Sequence, residues 1–455
     1  MQWRHLLIIL TAANAMFMFL TRNCLYIAIM SMADIKDQSQ NDNHNSDCAL
    51  VNQSRNSEII KSNASFSWSL LEVDMILGAY FYAYTIFQIP SGFLLVLSSP
   101  RLVMNICKVI HALLTCIIPF ASSYGAKYVF ISRFLMGVAG AFVLPANAAL
   151  LRSLALLPEV TVSMNLIIVF YGFGSLFAPI ISGYLCSKPE LGGWKTSFYV
   201  CGSIELTYAL FFIVLSYSKF FNTNVQKIIS NGSSETSIKE SFKLLGDWKV
   251  YAYSYSIFAI LNTANIIILK IPQYYSSILN YEIFENGLIN SLPMIVFIAA
   301  PLFSSLTITA IANTKIVSPR LLYSIVYTVS MLIVLLLETI FTNLIGCNGF
   351  IAIGIFCCTF FCALSANTVV LPIVANHSNF VALSTGISNS IGNSSGFLVP
   401  FYANFFLKGD IYDRGNWQKL FFANGFIGFS GVIALNLMLW LGKAKPYLLL
   451  QNAES

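Results

Sequence analysis

The chain consists of long apolar runs separated by short polar segments. A helix needs about 20 apolar residues to cross the roughly 30 Å hydrocarbon core of a bilayer, and twelve runs of this chain reach that length. They lie at approximately residues 6–31, 70–96, 102–121, 126–150, 161–186, 197–217, 249–273, 287–311, 320–341, 347–372, 380–406 and 417–441. The pattern predicts an all-α membrane protein with twelve transmembrane helices. The first run is too long for a signal-peptide core and has no small-residue cleavage site after it, so we expect it to be retained.

A polar segment rich in Ser and Asn, residues 218–248, divides the runs into two sets of six. We interpret it as a solvated cytoplasmic linker. It would join an N-terminal bundle of residues 1–217, which includes an outer loop at 32–67, to a C-terminal bundle of residues 249–446. A short C-terminal tail, residues 447–455, would follow.

The two halves share a motif at the start of their sixth runs. Residues 193–202 read GWKTSFYVCG and residues 416–425 read NWQKLFFANG, so both contain W-x3-F-x3-G. The run before each motif has a Gly or a Ser five residues before a proline, at Gly174 and Ser395. Matching segments six runs apart indicate a duplicated unit. Such duplication is typical of transporters that work by alternating access, in which two halves rock about a site near the bilayer midplane.

Charge and glycosylation signals predict the orientation. Lys and Arg are slightly more numerous in the segments that are cytoplasmic if the N-terminus is inside, as the positive-inside rule requires. The outer loop contains the sequons Asn52-Gln-Ser and Asn63-Ala-Ser, which are glycosylated only on the lumenal or external side. We therefore predict that both termini are cytoplasmic. Glycosylation at Asn52 and Asn63 fits the plasma membrane and endolysosomal or vesicular membranes equally well.

Composition agrees with a membrane protein and argues against other functions. Of 455 residues, 57% are hydrophobic and 10% are charged, against about 25% charged in soluble domains. The net charge of +6 fits this topology and gives no reason to expect a nucleic-acid partner. The sequence has no metal-ligand spacing, catalytic triad or phosphate-binding loop, so we expect no metal, no cofactor and no enzymatic activity. Cys48 and Cys347 lie in outer segments and could pair, although one sequence leaves the connectivity open.

Two arginines lie inside predicted spans, where a charge is tolerated only if it faces a bundle interior or a watery cavity. Arg22 is roughly 25 Å above the cytoplasmic start of the first run, and Arg133 is roughly 9 Å below the outer end of the fourth. They therefore share a level in the outer third of the bundle. Two guanidinium groups repel at low dielectric, and an anion gripped by their forked donors offsets that repulsion. The alternative is that Arg22 reaches outward to the interface and Arg133 satisfies carbonyls of a broken helix.

Other residues could complete an anion site. Gly137 and Gly140 lie on the helix face of Arg133, which leaves space for a docked ligand or for a neighbouring helix. Tyrosines at positions 80, 82 and 84 cannot all face one side of a helix, and we expect at least one to line the pore. Polar residues of the seventh and eleventh runs would approach from the opposite half, or bond helix to helix. The predicted substrate-binding residues are Arg22, Arg133, Tyr26, Tyr82, Asn265 and Asn389.

Several motifs carry a family resemblance. They include QIPSG at 88–92, RFLMG at 133–137, the segment 269–293 with its ENGL sequence, and GISNSIGNSSGFLVP at 386–400. In these motifs the chain resembles the anion transporters related to sialin, the vesicular glutamate transporters and the sodium-phosphate type I cotransporters, which belong to the major facilitator superfamily. The resemblance covers essentially all twelve runs. It implies the major facilitator fold in two six-helix halves, and movement of an organic anion or phosphate held by arginines of the first and fourth spans.

The chain departs from that family at positions that are usually ionisable. Gly140 stands where the family has a glutamate two turns below the fourth-span arginine, and Leu77 stands where vesicular members have a histidine. A buried carboxylate is the usual proton carrier, so coupling by that route is called into question. Glu205, which the predicted boundaries place near the outer end of the sixth span, and His111 on the third span are candidates to replace it.

These observations predict a monomeric secondary transporter in a lipid bilayer. Its partners would be a small anionic substrate and a coupling ion, either a proton or sodium. The alternative is a non-transporting relative that keeps the fold as a membrane receptor or scaffold. The missing glutamate and histidine support that alternative.

Overall fold

Helices make up almost all of the chain that the structure describes. The computed structural model describes residues 2–33, 65–154, 160–218, 246–314, 316–376 and 381–441. An isolated β-bridge pairs Ala33 with Phe66. The predicted sequons at Asn52 and Asn63, most of the predicted linker and the whole predicted tail lie outside the described residues.

The helices of the first half of the chain are α1 (Gln2–Met32), α2 (Leu70–Leu97), α3 (Pro100–Ser122), α4 (Ala126–Leu154), α5 (Val160–Cys186) and α6 (Trp194–Ser216). Those of the second half are α7 (Trp248–Leu269), α8 (Ile271–Ser277), α9 (Ile283–Asn313), α10 (Pro319–Thr339), α11 (Gly349–Asn376), α12 (Val381–Asn393), α13 (Ser395–Leu407) and α14 (Arg414–Leu441). Short 3-10 helices at Pro189–Leu191 and Phe341–Leu344 precede α6 and follow α10.

Eleven helical segments of the described chain are long and apolar enough to cross a membrane. They correspond to all the predicted runs except the one at 380–406. That run forms α12 and α13, each 13 residues long, with a break at Ser394. The break lies in a polar stretch, SNSIGNSS at residues 388–395, which divides the run into two shorter helices. The predicted all-α, multi-pass membrane class is confirmed, and the cytoplasmic placement of the termini stays a prediction.

Polar residues cap several helices where an apolar run begins. Ser69 Oγ accepts from the Glu72 amide at 3.3 Å, while Glu72 Oε2 accepts from the Ser69 amide at 2.8 Å, which forms a capping box on α2. Asp247 caps α7 by accepting from the amide two residues later at 3.0 Å. Ser318 caps α10 in the same way, ahead of a proline at the first helical position. These side chains satisfy amides that have no partner within the helix.

The described helices form two compact units. The first contains α1–α6 and the segment Tyr281–Met294, which includes the start of α9. The second contains α7, α8, the rest of α9 and α10–α14. Within the first unit, a Cβ on Gly183 of α5 would lie 3.0 Å from the Cα of Gly287, so two glycines allow a close backbone approach. The bundle boundaries at 1–217 and 249–446 remain a prediction.

The repeated W-x3-F-x3-G motif packs in a similar way in each unit. A Cβ on Gly202 would overlap the sulfur of Cys116, so the absence of a side chain lets α6 lie directly on α3. In the second unit Gly425 brings α14 against α10, where a Cβ would lie 3.4 Å from Glu338. The tryptophan that opens each motif is buried. The sequence repeat therefore corresponds to a repeated contact between the sixth and third spans of each half.

Candidate functional site

Arg22 of α1 and Arg133 of α4 lie together inside the first unit. Arg22 is 7% exposed and Arg133 is 0% exposed, so neither side chain turns toward the surface of that unit. Nη2 of Arg133 donates a hydrogen bond of 3.1 Å to the backbone carbonyl of Arg22. The two positive groups therefore occupy one buried region, at the common level that their positions in the sequence predict.

An aromatic ring contacts both guanidinium groups. The Cζ atoms of Arg22 and Arg133 lie 4.9 Å and 5.4 Å from the ring centroid of Tyr80, which belongs to α2. Arg22 also lies 4.3 Å from the ring centroid of Phe81. The negative faces of aromatic rings attract cations, so these rings offset part of the repulsion between the arginines. We call Arg22, Arg133, Tyr26 and Tyr80 the arginine cluster.

Several donors of the arginine cluster are unused. Nε and Nη1 of Arg133 and Nε of Arg22 are buried and have no hydrogen-bond partner among the described residues. Neither arginine forms an ion pair with any Asp or Glu in the described part of the chain. A buried charge without a counter-ion is costly, and forked N–H donors match the oxygens of a carboxylate or a phosphate. An anion placed here would supply both the missing charge and the missing acceptors.

The glycines beside Arg133 accommodate a helix. A Cβ on Gly137 would overlap the backbone carbonyl of Tyr80, and a Cβ on Gly140 would overlap its hydroxyl group. The space below Arg133 is therefore filled by Tyr80 and α2. The sequence left open whether these glycines make room for a docked ligand or for a neighbouring helix, and the structure shows a neighbouring helix.

The predicted tyrosines occupy different surroundings. Tyr26, one turn from Arg22 on α1, is 4% exposed, and its hydroxyl is close enough to Arg22 to interact with the guanidinium electrostatically. Tyr82 is partly buried, and its ring centroid lies 6.3 Å from that of Phe130. Tyr80, which the sequence did not single out among the three tyrosines of α2, is the one whose ring contacts both arginines.

A second group of charges lies in the same unit, at Lys108 and His111 of α3 and Glu205 of α6. We call these three residues the Lys-Glu-His cluster. Lys108 Nζ and His111 Nδ1 lie 2.8 Å and 2.9 Å from the two carboxylate oxygens of Glu205. Thr21 of α1 donates to the same carboxylate at 2.6 Å. All of these side chains are buried.

The structure corrects the predicted depth of Glu205. This residue lies halfway along α6, at equal distance from Trp194 and Ser216. The predicted sixth span began three residues too late, because polar residues after Trp194 lower the local hydropathy although they are helical. Glu205 is therefore buried mid-helix, and not near an outer end.

The two clusters of the first unit are in contact with each other. The ring centroids of Tyr80 and His111 are 6.0 Å apart, with the rings almost perpendicular at 86°. Thr21, which bonds Glu205, is the residue immediately before Arg22. Lys108 and Glu205 neutralise each other, whereas Arg22 and Arg133 have no such partner among the described residues. The described interior of the first unit therefore has an excess of positive charge at the arginines.

The predicted site residues of the second unit are bonded within it. Asn265 of α7 donates to Ser395 Oγ at 2.8 Å, beside the break between α12 and α13. Asn389 of α12 is partly buried, and its backbone carbonyl accepts from Asn393 at 2.9 Å. Both contacts agree with helix-to-helix or intrahelical bonding, and the side chain of Asn389 keeps some exposure.

The remaining sequence expectations concern cysteines and metals. Cys347 is in a disulfide bond, and Cys48 lies outside the described residues. The eight other cysteines are free. The described residues contain no group of three or more His, Cys, Asp or Glu side chains that could hold a metal ion.

Comparison with known proteins identifies the family. A family model described as Major Facilitator Superfamily matches residues 8–400. The chain belongs to the major facilitator superfamily. Solved facilitator-like structures cover almost all of it. A D-xylose-proton symporter is 14% identical, with a TM-score of 0.66, over 95% of this chain and 96% of the other.

A further structure gives the same result for the fold of this facilitator. A bacterial homolog of the human lysosomal transporter Spinster, in an inward-facing and unoccupied conformation, is 11% identical with a TM-score of 0.61. The match covers 96% of this chain and 95% of the other. At these identities the likeness shows the fold alone, and it confirms the predicted major facilitator fold.

Sequence relatives of this facilitator include vesicular glutamate transporters. Vesicular glutamate transporter 2.2 of Danio rerio is 26% identical over 399 residues, which are 82% of this chain and 65% of that protein. Vesicular glutamate transporter 2 of Homo sapiens is 25% identical over 411 residues, which are 84% of this chain and 68% of that protein. The chain thus spans about two thirds of the length of these relatives. The predicted resemblance is confirmed.

The two departures of this facilitator from the family resemblance lie close to Tyr80. Leu77 is buried one helical turn before Tyr80 on α2. Gly140 occupies the expected glutamate position, where the Tyr80 hydroxyl fills the space that a side chain would need. A phenol group therefore lies where the family resemblance places a carboxylate. His111 links Tyr80 to a carboxylate, that of Glu205.

Proposed function

We propose that this facilitator is a secondary active transporter of a small organic anion or inorganic phosphate, and that Arg22 and Arg133 bind the anion. The observation that carries this proposal is the pair of buried guanidinium groups with three unused nitrogen donors and no paired carboxylate among the described residues. The duplicated contact of the sixth and third spans supports transport by alternating access.

The unused donors favour an oxygen anion as the substrate. Nε and Nη1 of Arg133 lie on different sides of the guanidinium group, and each can donate to an oxygen of a carboxylate or phosphate group. The vesicular glutamate transporters that resemble this chain are named for a carboxylate substrate. We therefore rank organic carboxylates first and inorganic phosphate second. Tyr26 and Tyr80 would flank the bound group.

We further propose that the Lys-Glu-His cluster couples an ion to transport, with a proton as the first candidate. Nε2 of His111 is buried and has no hydrogen-bond partner among the described residues, while its Nδ1 faces Glu205. His111 thus lies beside a carboxylate, and its ring adjoins Tyr80 of the arginine cluster. Histidine is a common proton carrier in proteins. A proton taken up at His111 would act on the arginine cluster through Tyr80.

The membrane orientation remains part of the proposal. Both termini would be cytoplasmic, and the protein would reside in the plasma membrane or in an endolysosomal or vesicular membrane. The disulfide at Cys347, in the predicted outer segment between α10 and α11, supports this orientation, because disulfides persist in oxidising compartments. The similarity to vesicular glutamate transporters supports residence in a vesicular membrane.

Transport in proteoliposomes tests the proposed function. Purified protein would be reconstituted and offered radiolabelled carboxylates, including glutamate, and radiolabelled phosphate, with and without imposed pH, sodium and voltage gradients. We expect uptake of at least one anion that exceeds uptake into protein-free liposomes and that one gradient stimulates. If no anion is taken up above the protein-free level under any gradient, the transport proposal is contradicted. That result would favour a receptor or scaffold that has lost the usual ionisable residues at Gly140 and Leu77.

A further inference from the structure

A buried carboxylate in the second unit has no charged partner in the part of the chain that the structure describes. Glu338 of α10 is 1% exposed, and it forms no ion pair with any described Lys, Arg or His. Both of its oxygens accept from a single amide nitrogen, Nδ2 of Asn424 on α14, at 2.7 Å each. The polar environment of this carboxylate is therefore neutral.

Two more side chains complete a closed network around Asn424. Asn262 Nδ2, on α7, donates to Asn424 Oδ1 at 2.6 Å and to the Tyr402 hydroxyl at 3.1 Å. The Tyr402 hydroxyl, on α13, donates to the same Oδ1 at 3.1 Å. Four helices of the second unit thus each contribute one side chain. We call Glu338, Asn424, Asn262 and Tyr402 the Glu338 network.

The contrast with the first unit shows what this carboxylate lacks. Glu205 lies three residues after the glycine of its W-x3-F-x3-G motif and is bonded by a lysine and a histidine. The equivalent position of the second motif is Gly428, which packs against Thr263 and Met331. The second unit therefore carries its buried carboxylate on the ninth span, without the basic residues that stabilise the first one.

An ionised carboxylate buried among neutral groups is unfavourable, and binding a proton removes the charge. The groups that face Glu338 are neutral amides of α7 and α14, the glycine at 425, and the titratable phenol of Tyr402 on α13. Thr342, beyond the end of α10, bonds only the backbone carbonyl of Glu338. None of these groups can supply a positive charge.

The Glu338 network can satisfy either protonation state. When Glu338 is ionised, the amide nitrogen of Asn424 faces it, as the structure shows. The two ends of an amide have nearly the same shape, so a half-turn of the Asn424 side chain presents its oxygen to the hydroxyl of a protonated Glu338. The amide nitrogen of Asn424 then donates toward the Tyr402 hydroxyl and toward Asn262. Because the Asn262 nitrogen is now the group that faces Asn424, the Asn262 amide must turn as well to present its oxygen. Rotation of two amides thus accompanies the gain of one proton.

We propose that the Glu338 network is a proton-binding site of the second unit, separate from the Lys-Glu-His cluster. The reaction forms one O–H bond between a proton from the aqueous phase and a carboxylate oxygen of Glu338. Its use in driving transport would rest on the proposed function, whereas proton binding itself does not.

Infrared difference spectroscopy tests this site directly. Spectra of full-length protein in liposomes would be recorded in acidic and alkaline buffer, and subtracted. We expect the wild type to show the carbonyl stretch of a buried protonated carboxylic acid, and Glu338→Gln to lose that band. The matched control is Glu190→Gln, which alters an exposed residue of the Pro189–Leu191 helix and should retain the band. A band that persists unchanged in Glu338→Gln would overturn the proposal.

A second variant keeps the test valid if Glu338→Gln does not fold. Asn424→Leu retains Glu338 but removes the only described hydrogen-bond partner of its carboxylate, so the carbonyl band should move to the higher frequency of an unbonded acid. An unmoved band in Asn424→Leu would contradict the assignment. Neither spectrum requires an anion. A failure of the proposed anion transport would therefore not affect the test of proton binding at Glu338, and a failure of proton binding would not contradict anion transport.

Discussion

Replacing Arg133 by alanine should abolish anion uptake while the protein still folds and inserts. The side chain has two buried nitrogen donors with no described partner, and both are free to bond an anion. Hydrogen bonds to charged groups contribute about 1.5–3 kcal/mol each, so two of them contribute about 3–6 kcal/mol. At about 1.4 kcal/mol per tenfold change, anion affinity should fall roughly 10²- to 10⁴-fold.

The unfolding temperature of Arg133→Ala distinguishes a role of Arg133 in binding the anion from a role in holding helices together. Arg133 makes one hydrogen bond to a backbone carbonyl and one contact with the Tyr80 ring, and its buried charge is unpaired among the described residues. Removing the charge relieves a desolvation cost that offsets much of the lost contact. The unfolding temperature of Arg133→Ala without anion should therefore stay near that of the wild type. A residue that only held helices together would lower it.

Two assays on the same protein measure these effects. Uptake of the transported anion into proteoliposomes should disappear in Arg133→Ala, and the rise in unfolding temperature on adding that anion should disappear with it. Arg133→Lys should recover little, because an ammonium group keeps the charge but lacks the separate, fixed donors of the planar guanidinium group. Lys127→Ala, an exposed position at the start of the same helix, is the matched control and should behave like wild type. Normal uptake by Arg133→Ala would refute the assignment.

Three further predictions concern packing, charge and topology. Gly137→Ala should destabilise the protein by about 1–3 kcal/mol in thermal unfolding, because its methyl group meets the Tyr80 carbonyl, whereas Gly92→Ala, with open space around it, should be neutral. Glu205→Gln should cost about 3–5 kcal/mol by leaving Lys108 buried and unpaired, and adding Lys108→Met should restore much of that loss, so additive losses in the double variant would be evidence against the pair. Removing either sequon of loop 32–67 should eliminate one glycan in the protein made by eukaryotic cells, and an unchanged gel mobility would oppose the predicted orientation.

The positions of the two arginines could be predicted from the sequence because helix geometry converts residue number into depth. At about 1.5 Å per residue, ascending and descending spans place Arg22 and Arg133 at one level, and the structure finds them bonded through a backbone carbonyl. Hydropathy likewise located eleven of the helical segments, since each apolar run is long enough to cross a bilayer.

The partners of these residues could not be predicted in the same way. Tyr80 and Tyr84 share a face of α2, where their ring centroids are 5.8 Å apart, and Tyr82 lies on another face. Only the packing of α2 on α4 selects Tyr80 to contact both arginines. The contact between Lys108 and Glu205 joins residues almost 100 positions apart, for which no local spacing exists. The break at Ser394 lies in the polar stretch 388–395, which the predicted boundaries included in one continuous run.

The most direct test of the account is to locate an anion in the protein. An experimental structure determined with a bromine-labelled carboxylate that the protein transports would show the anion by its anomalous scattering. The account predicts a peak beside Tyr80, with carboxylate oxygens within hydrogen-bond distance of Nη1 or Nε of Arg133 and Nε of Arg22. A carboxylate side chain of the protein already bonded to those nitrogens, or an anion bound only elsewhere, would contradict it.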